Sequence, residues 1–130
     1  MASIFSKIIS KETPAYIIAE TDQCIAFLDV FPLAKGHVLV VPKKEIDYIF
    51  SVEDNLLAEM MLFSKKIALA LEKAIPCKRV GVAVIGLEVP HAHIHLIPLQ
   101  TVQDINFTRE KLTVPAAEME EIANSIKKNL

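Results

Sequence analysis

The spacing of apolar residues changes along the chain, and each change marks an element. Tyr16–Glu20 and Gln23–Leu28 are short apolar runs joined by Thr21-Asp22, the pattern of two strands and a tight turn. His37–Val41 is a third strand, set off by Gly36 and stopped by Pro42, with β-branched residues suited to a buried pleated surface. From Ser51 the period lengthens. Leu56, Met60, Phe63, Ile67, Leu71 and Ala74 recur at helical spacing up to Pro76, which predicts a helix with one face on the sheet and Ser51 and Asp54 as its cap. Arg79–Ile85 and His91–Ile97 read as two further strands, and Pro115 opens a second amphipathic helix through Met119, Ile122 and Ile126. Strands in runs, without strict alternation with helices, predict an α+β fold. Its antiparallel sheet has about five strands, with one long central helix and a C-terminal helix.

No repeat or linker divides the 130 residues, so residues 1–130 read as one domain. Over half the chain is apolar and only three residues are Gly, which excludes a disordered protein. The net charge of −2 and the scattered Lys and Arg give no surface for extended nucleic acid. The stretch Met1–Lys11 lacks the apolar core of a signal peptide, and no run is long enough to span a membrane. The isolated Cys24 and Cys77 fit neither a metal nor a redox spacing and suit a reducing compartment, so a soluble cytoplasmic protein is expected.

Three of the four histidines fall at alternate positions in His91-Ala92-His93-Ile94-His95-Leu96-Ile97. On a strand this spacing puts the imidazoles on one face, about 7 Å apart, and Ala92, Ile94 and Leu96 on the other. Neutral imidazole can attack phosphorus through one nitrogen while the other is held, and neighbouring imidazoles can donate to the phosphoryl oxygens. A metal site is the rival reading: one ion would take an adjacent pair, with His37 or Glu88 as a further ligand.

The run His91–Ile97 resembles the signature of the histidine-triad (HIT) family, His-φ-His-φ-His-φ-φ with φ apolar, at every position. The likeness extends to Ile4–Ile9, Phe27–Val30 and Gly36–Lys43, leaving the tail after Gln100 unassigned. It implies a nucleotide hydrolase or transferase acting on purine nucleoside phosphoramidates or dinucleoside polyphosphates, with no cofactor and as a homodimer. By the same resemblance His93 is the nucleophile, His95 contacts the phosphate or leaving group, and His91 and His37 support them. Asp29 would bind ribose, and Ile4, Phe5, Ile8 and Leu28 would flank the base; a turn role for Asp29 and core packing for the apolar residues stay open.

Two departures stand out. The zinc-binding Cys-x-x-Cys and the His that family members often carry are replaced by Ser3, Ser6 and Glu45, so no structural zinc is expected. The loop before the triad, Val84–Pro90, is short and apolar where many relatives carry an Asn-bearing, Gly-rich one. It places Glu88 either as a general acid beside His93, buried by Leu87 and Val89, or as a solvated surface residue. The shortened loop also leaves open a nucleotide sensor or interaction module without turnover.

Overall fold

Hydrophobic alternation builds a sheet that is buried on both sides. The computed structural model describes residues 2–130; of the stretch Met1–Lys11, Met1 lies outside the described residues. Strands β1 (Ile17–Glu20), β2 (Cys24–Leu28), β3 (Val38–Pro42), β4 (Arg79–Ala83) and β5 (Ile94–Leu99) form one antiparallel sheet in the order β1-β2-β3-β5-β4. Cys24, Ala26 and Leu28 of β2, Val38 and Val40 of β3, and Ile94 and Leu96 of β5 point to one face. There they meet Met60, Phe63, Ile67 and Leu71 of helix α2 (Asp54–Ala74) and Met119, Ile122 and Ile126 of helix α3 (Ala116–Lys128). The opposite face carries Ile25, Phe27, Leu39 and Val41, covered by Phe5 and Ile8.

Phe5 and Ile8 belong to helix α1 (Ile4–Ile9), which the apolar pattern does not announce. Six residues are too few for a helical period and too few to hold a helix alone. This one forms because the Ser3 hydroxyl accepts the Ser6 amide and because its apolar side lies on the sheet.

Expected boundaries move: the strand expected to run to Ile85 ends at Ala83, and two others shift as well. Helix α2 starts at Asp54 with Glu53 at the cap position and no side-chain cap bond. Ser51 instead closes a short 3-10 turn, Ile49–Ser51, with its amide donating to the Tyr48 carbonyl. The triad strand begins at Ile94, not His91. Continuing the β3–β5 register would set Pro42 against Ala92, but proline has no N–H for a ladder. The Ala92 amide turns away to the Ile46 carbonyl at 2.7 Å. His91–His93 therefore form a bent lead-in to β5, held by loop contacts.

Among the described residues no helix is long and apolar enough to cross a membrane. Gly36, the residue before His37, has φ +92°, and a Cβ there would stand 3.0 Å from Ile75 Cγ1 and 3.2 Å from Leu71 Cδ1. Gly36→Ala is expected to cost about 1–3 kcal/mol through left-handed strain and crowding of α2. Urea denaturation measures it, and an unchanged midpoint would refute the constraint.

Candidate active site

The face of the sheet that carries α1 also carries the histidines. A cavity of about 590 Å³ opens there, lined by Ile4, Phe5, Ile8, Leu28, Asp29, His37, Glu88, His93 and His95 among others. Every sequence-predicted site residue except His91 thus reaches one chamber. A depression of about 730 Å³ by Thr21–Gln23 and Leu62–Lys66 is larger but shallower and holds no histidine, so the chemistry belongs to the first.

His91 sits behind the chamber, fully buried. Its Nε2 lies 2.8 Å from the Pro42 carbonyl, which can only accept, so Nε2 carries the proton and Nδ1 accepts from the Ser3 hydroxyl at 2.8 Å. Ser3 is held in turn: its amide donates to Glu45 Oε1 at 2.6 Å, and the Ser6 hydroxyl donates to the same oxygen at 2.6 Å. These bonds, Ser6 first, hold the Glu45 carboxyl down at about 2. Ser3, Ser6, Glu45 and His91 are thus gathered into one hydrogen-bonded cluster that ties α1 to the triad.

The same reasoning fixes the other three rings. The His91 carbonyl accepts from His93 Nδ1 at 2.7 Å, so the lone pair of His93 is on Nε2. The Leu33 amide donates to His37 Nδ1 at 3.1 Å, which places the His37 proton on Nε2. That proton points at His95 Nδ1, 2.9 Å away, and leaves the His95 proton on Nε2. His93 and His95 lie edge to face with ring centroids 4.8 Å apart. Among the described residues no buried side-chain nitrogen lacks a partner, so the two unpaired Nε2 atoms face the cavity.

Burial keeps these rings neutral. It pushes His37 down to about 3, aided by its neighbour His95 and by Lys111, and His95 down to about 4, aided by His93 and Lys111. His93 is lowered mainly by burial, against the opposing pull of the His91 carbonyl bond. The 3.7 Å approach of His37 Nε2 to Asp29 Oδ2 is therefore not an ion pair. Burial raises Asp29 in its turn, although Oδ1 accepts the Phe31 amide at 2.9 Å.

Asp29, His37 and His95 offer ligand atoms within 4.8 Å of one another, the grouping that best suits a metal ion. The hydrogen bonds argue against that use. With Leu33 donating to His37 Nδ1, a metal on Nε2 would require an imidazolate.

Of the two readings of Glu88, the exposed one holds: the loop brings it to the chamber but leaves it in solvent, with Leu87 beside it 89% exposed, so the burial that a general-acid role called for is missing. Its charge still reaches His93. The sequence reading missed Phe107 and Lys111, which come from the unassigned tail. The Phe107 ring stands edge-on to His95 with centroids 4.7 Å apart. No periodicity marks either residue; only the fold returns the tail to the site.

Depressed imidazoles set a pH dependence of stability. The folded state binds fewer protons than the unfolded chain between the ordinary histidine value of 6.5 and the folded values of about 4 and 3, so stability falls as pH drops through that window. Thermal unfolding is expected to show Tm falling by at least about 5 °C between pH 6.5 and pH 4.5, before carboxylates such as Glu45 contribute. A flat profile there would refute neutral burial.

Comparison with known proteins agrees with this geometry. The HIT domain family model matches residues 10–102. An uncharacterized HIT-like protein of Borreliella burgdorferi is 33% identical over 98% of this chain and 97% of its own. Adenosine 5'-monophosphoramidase of Saccharomyces cerevisiae is 36% identical over 75% of this chain and 62% of its own. The crystal structure of a HIT-like protein from Bartonella henselae superposes with a TM-score of 0.85 at 32% identity, covering 98% of this chain and 96% of that one. With the family model spanning most of its length and the triad built as described, the chain belongs to the HIT family.

Proposed function

We propose that this chain is a nucleotide hydrolase or nucleotidyl transferase acting at the α-phosphorus of purine nucleoside phosphoramidates or dinucleoside polyphosphates. The observation that carries the reading is the fixed His93 ring: its Nδ1 proton is committed to the His91 carbonyl, and its Nε2 lone pair faces the cavity. Similarity to the yeast monophosphoramidase supports the substrate class.

Nε2 of His93 attacks phosphorus and the bond to the leaving nitrogen or oxygen breaks, giving a nucleotidyl-histidine. His95, with its proton on Nε2, donates to the phosphoryl oxygens or to the departing group, and His37 backs its Nδ1. Water then attacks phosphorus, the P–N bond to His93 breaks, and the nucleoside monophosphate leaves. Asp29 takes the ribose hydroxyls. Ile4, Phe5, Ile8 and Leu28 enclose the base, with Ile4 half-exposed at the mouth and the other three buried in the wall. Glu88, at the rim, touches the leaving group from solvent. The free thiols Cys24 and Cys77 suit a cytoplasmic setting.

A homodimer fits the surface. Strand β4 is an edge strand, Val82, Val84 and Ile85 are exposed on or just beyond it, and α2 exposes Met61, Leu62 and Leu69. The apolar face of α2 marked by Leu56 to Ala74 is largely spent on the core, so it leaves these other residues for self-association.

His93→Asn is expected to bind AMP but to abolish turnover of adenosine 5'-phosphoramidate, and mass spectrometry of the quenched wild type should find a nucleotidyl adduct on His93. Binding without adduct or turnover in the wild type would instead make the chain a sensor. In the same assay Glu88→Gln, at an exposed carboxyl, is expected to give equal rates with poor and with activated aryl leaving groups; a loss confined to the poor leaving groups would restore Glu88 as a proton donor. Sedimentation at micromolar concentration should give two chains per particle, and Val82→Lys one. A wild-type monomer would overturn the dimer.

A further inference from the structure

The chamber is short of positive charge for the substrate proposed above. Its imidazoles are held neutral, and its two carboxylates, Asp29 and Glu88, are repulsive to a nucleotide phosphate. The loop Val84–Pro90 adds no polar side chain other than Glu88. Among the described residues lining the chamber, Lys111 is the one permanent cation.

The position of Lys111 is built rather than incidental. After β5 the chain passes through a 3-10 turn, Val102–Ile105, closed by a capping box between Thr101 and Asp104. Arg109 donates to the Gln103 carbonyl, and the Leu112 amide donates to the Pro32 carbonyl at 2.8 Å. These contacts carry residues 106–112 back across the mouth, with Phe107 against the His95 ring. Lys111 is half-buried, has no carboxylate within ion-pair distance and makes no hydrogen bond through its amine among the described residues. It lines the same chamber as His93 and His95, and its field reaches Asp29, His37 and His95, so its ammonium is available to an anion that occupies the chamber.

We propose that Lys111 is a substrate-binding residue, its ammonium taking the phosphoryl oxygens of the nucleotide inside the chamber it lines, with Phe107, which lines it too, shielding that contact from water. This rests on the nucleotide reading above and adds to it the group that discriminates a nucleotide from a nucleoside.

The test is calorimetric titration of the full chain with AMP and with adenosine. Lys111→Gln is expected to weaken AMP about tenfold and leave adenosine unchanged; Lys111→Arg should recover most of the loss. The salt dependence of AMP binding should also be shallower in Lys111→Gln than in the wild type. If wild type binds both ligands and Lys111→Gln leaves their affinity ratio unchanged, or weakens both equally, the role of Lys111 is overturned while the nucleotide reading stands. If the wild type binds neither, both fall. Matching melting temperatures of wild type and Lys111→Gln separate a lost contact from a lost fold.

Discussion

The carbonyl of His91 decides what the site can do. An imidazole has two interchangeable nitrogens, and a nucleophile needs its lone pair on a particular one. By accepting from Nδ1 of His93, this carbonyl fixes the pair on Nε2. It can do so because the chain leaves strand geometry just before β5: in a regular ladder that carbonyl would face a neighbouring strand. Pro42 ends the ladder on one side, the Ile46 carbonyl captures Ala92 on the other, and the released segment bends until residue 91 serves residue 93. The fully buried His91 ring, fastened to Pro42 and Ser3, keeps the bend in place.

A second chain of protons runs beside it. Leu33, His37 and His95 are linked so that a backbone amide, which cannot change its role, dictates the tautomer of two rings in succession. One ring thereby presents a lone pair and its neighbour a proton, the complementary pair that displacement at phosphorus needs. Low polarity around both keeps a third species, the imidazolium, out of the ordinary pH range.

The alternation of histidines with Ala92, Ile94 and Leu96 was readable because a buried sheet separates odd from even positions however the backbone is trimmed at its ends. Both helices and all five strands were likewise legible, since each repeats its period several times. What stayed hidden has a common cause. Helix α1 is less than two turns long, and its stability comes from contacts with Glu45 and the sheet, distant in sequence. The bend at His91 depends on which residue stands opposite Ala92, a matter of register. Phe107 and Lys111 reach the chamber through a return of the chain whose anchors, Thr101–Asp104 and Pro32–Leu112, have no period. Exposure of Glu88 depends on the loop path, and apolar neighbours in sequence did not become neighbours in space.

Helix α1 is the shortest α-helix among the described residues, six residues with few internal hydrogen bonds of its own. Yet Ile4, Phe5 and Ile8 form a wall of the chamber, and Ser3 latches the His91 ring behind His93. Unwinding of this helix would therefore open that wall of the chamber and unlatch His91 in one event. A ligand that packs on Phe5 would suppress both together, so that occupancy of the chamber and order of α1 become two readings of a single equilibrium.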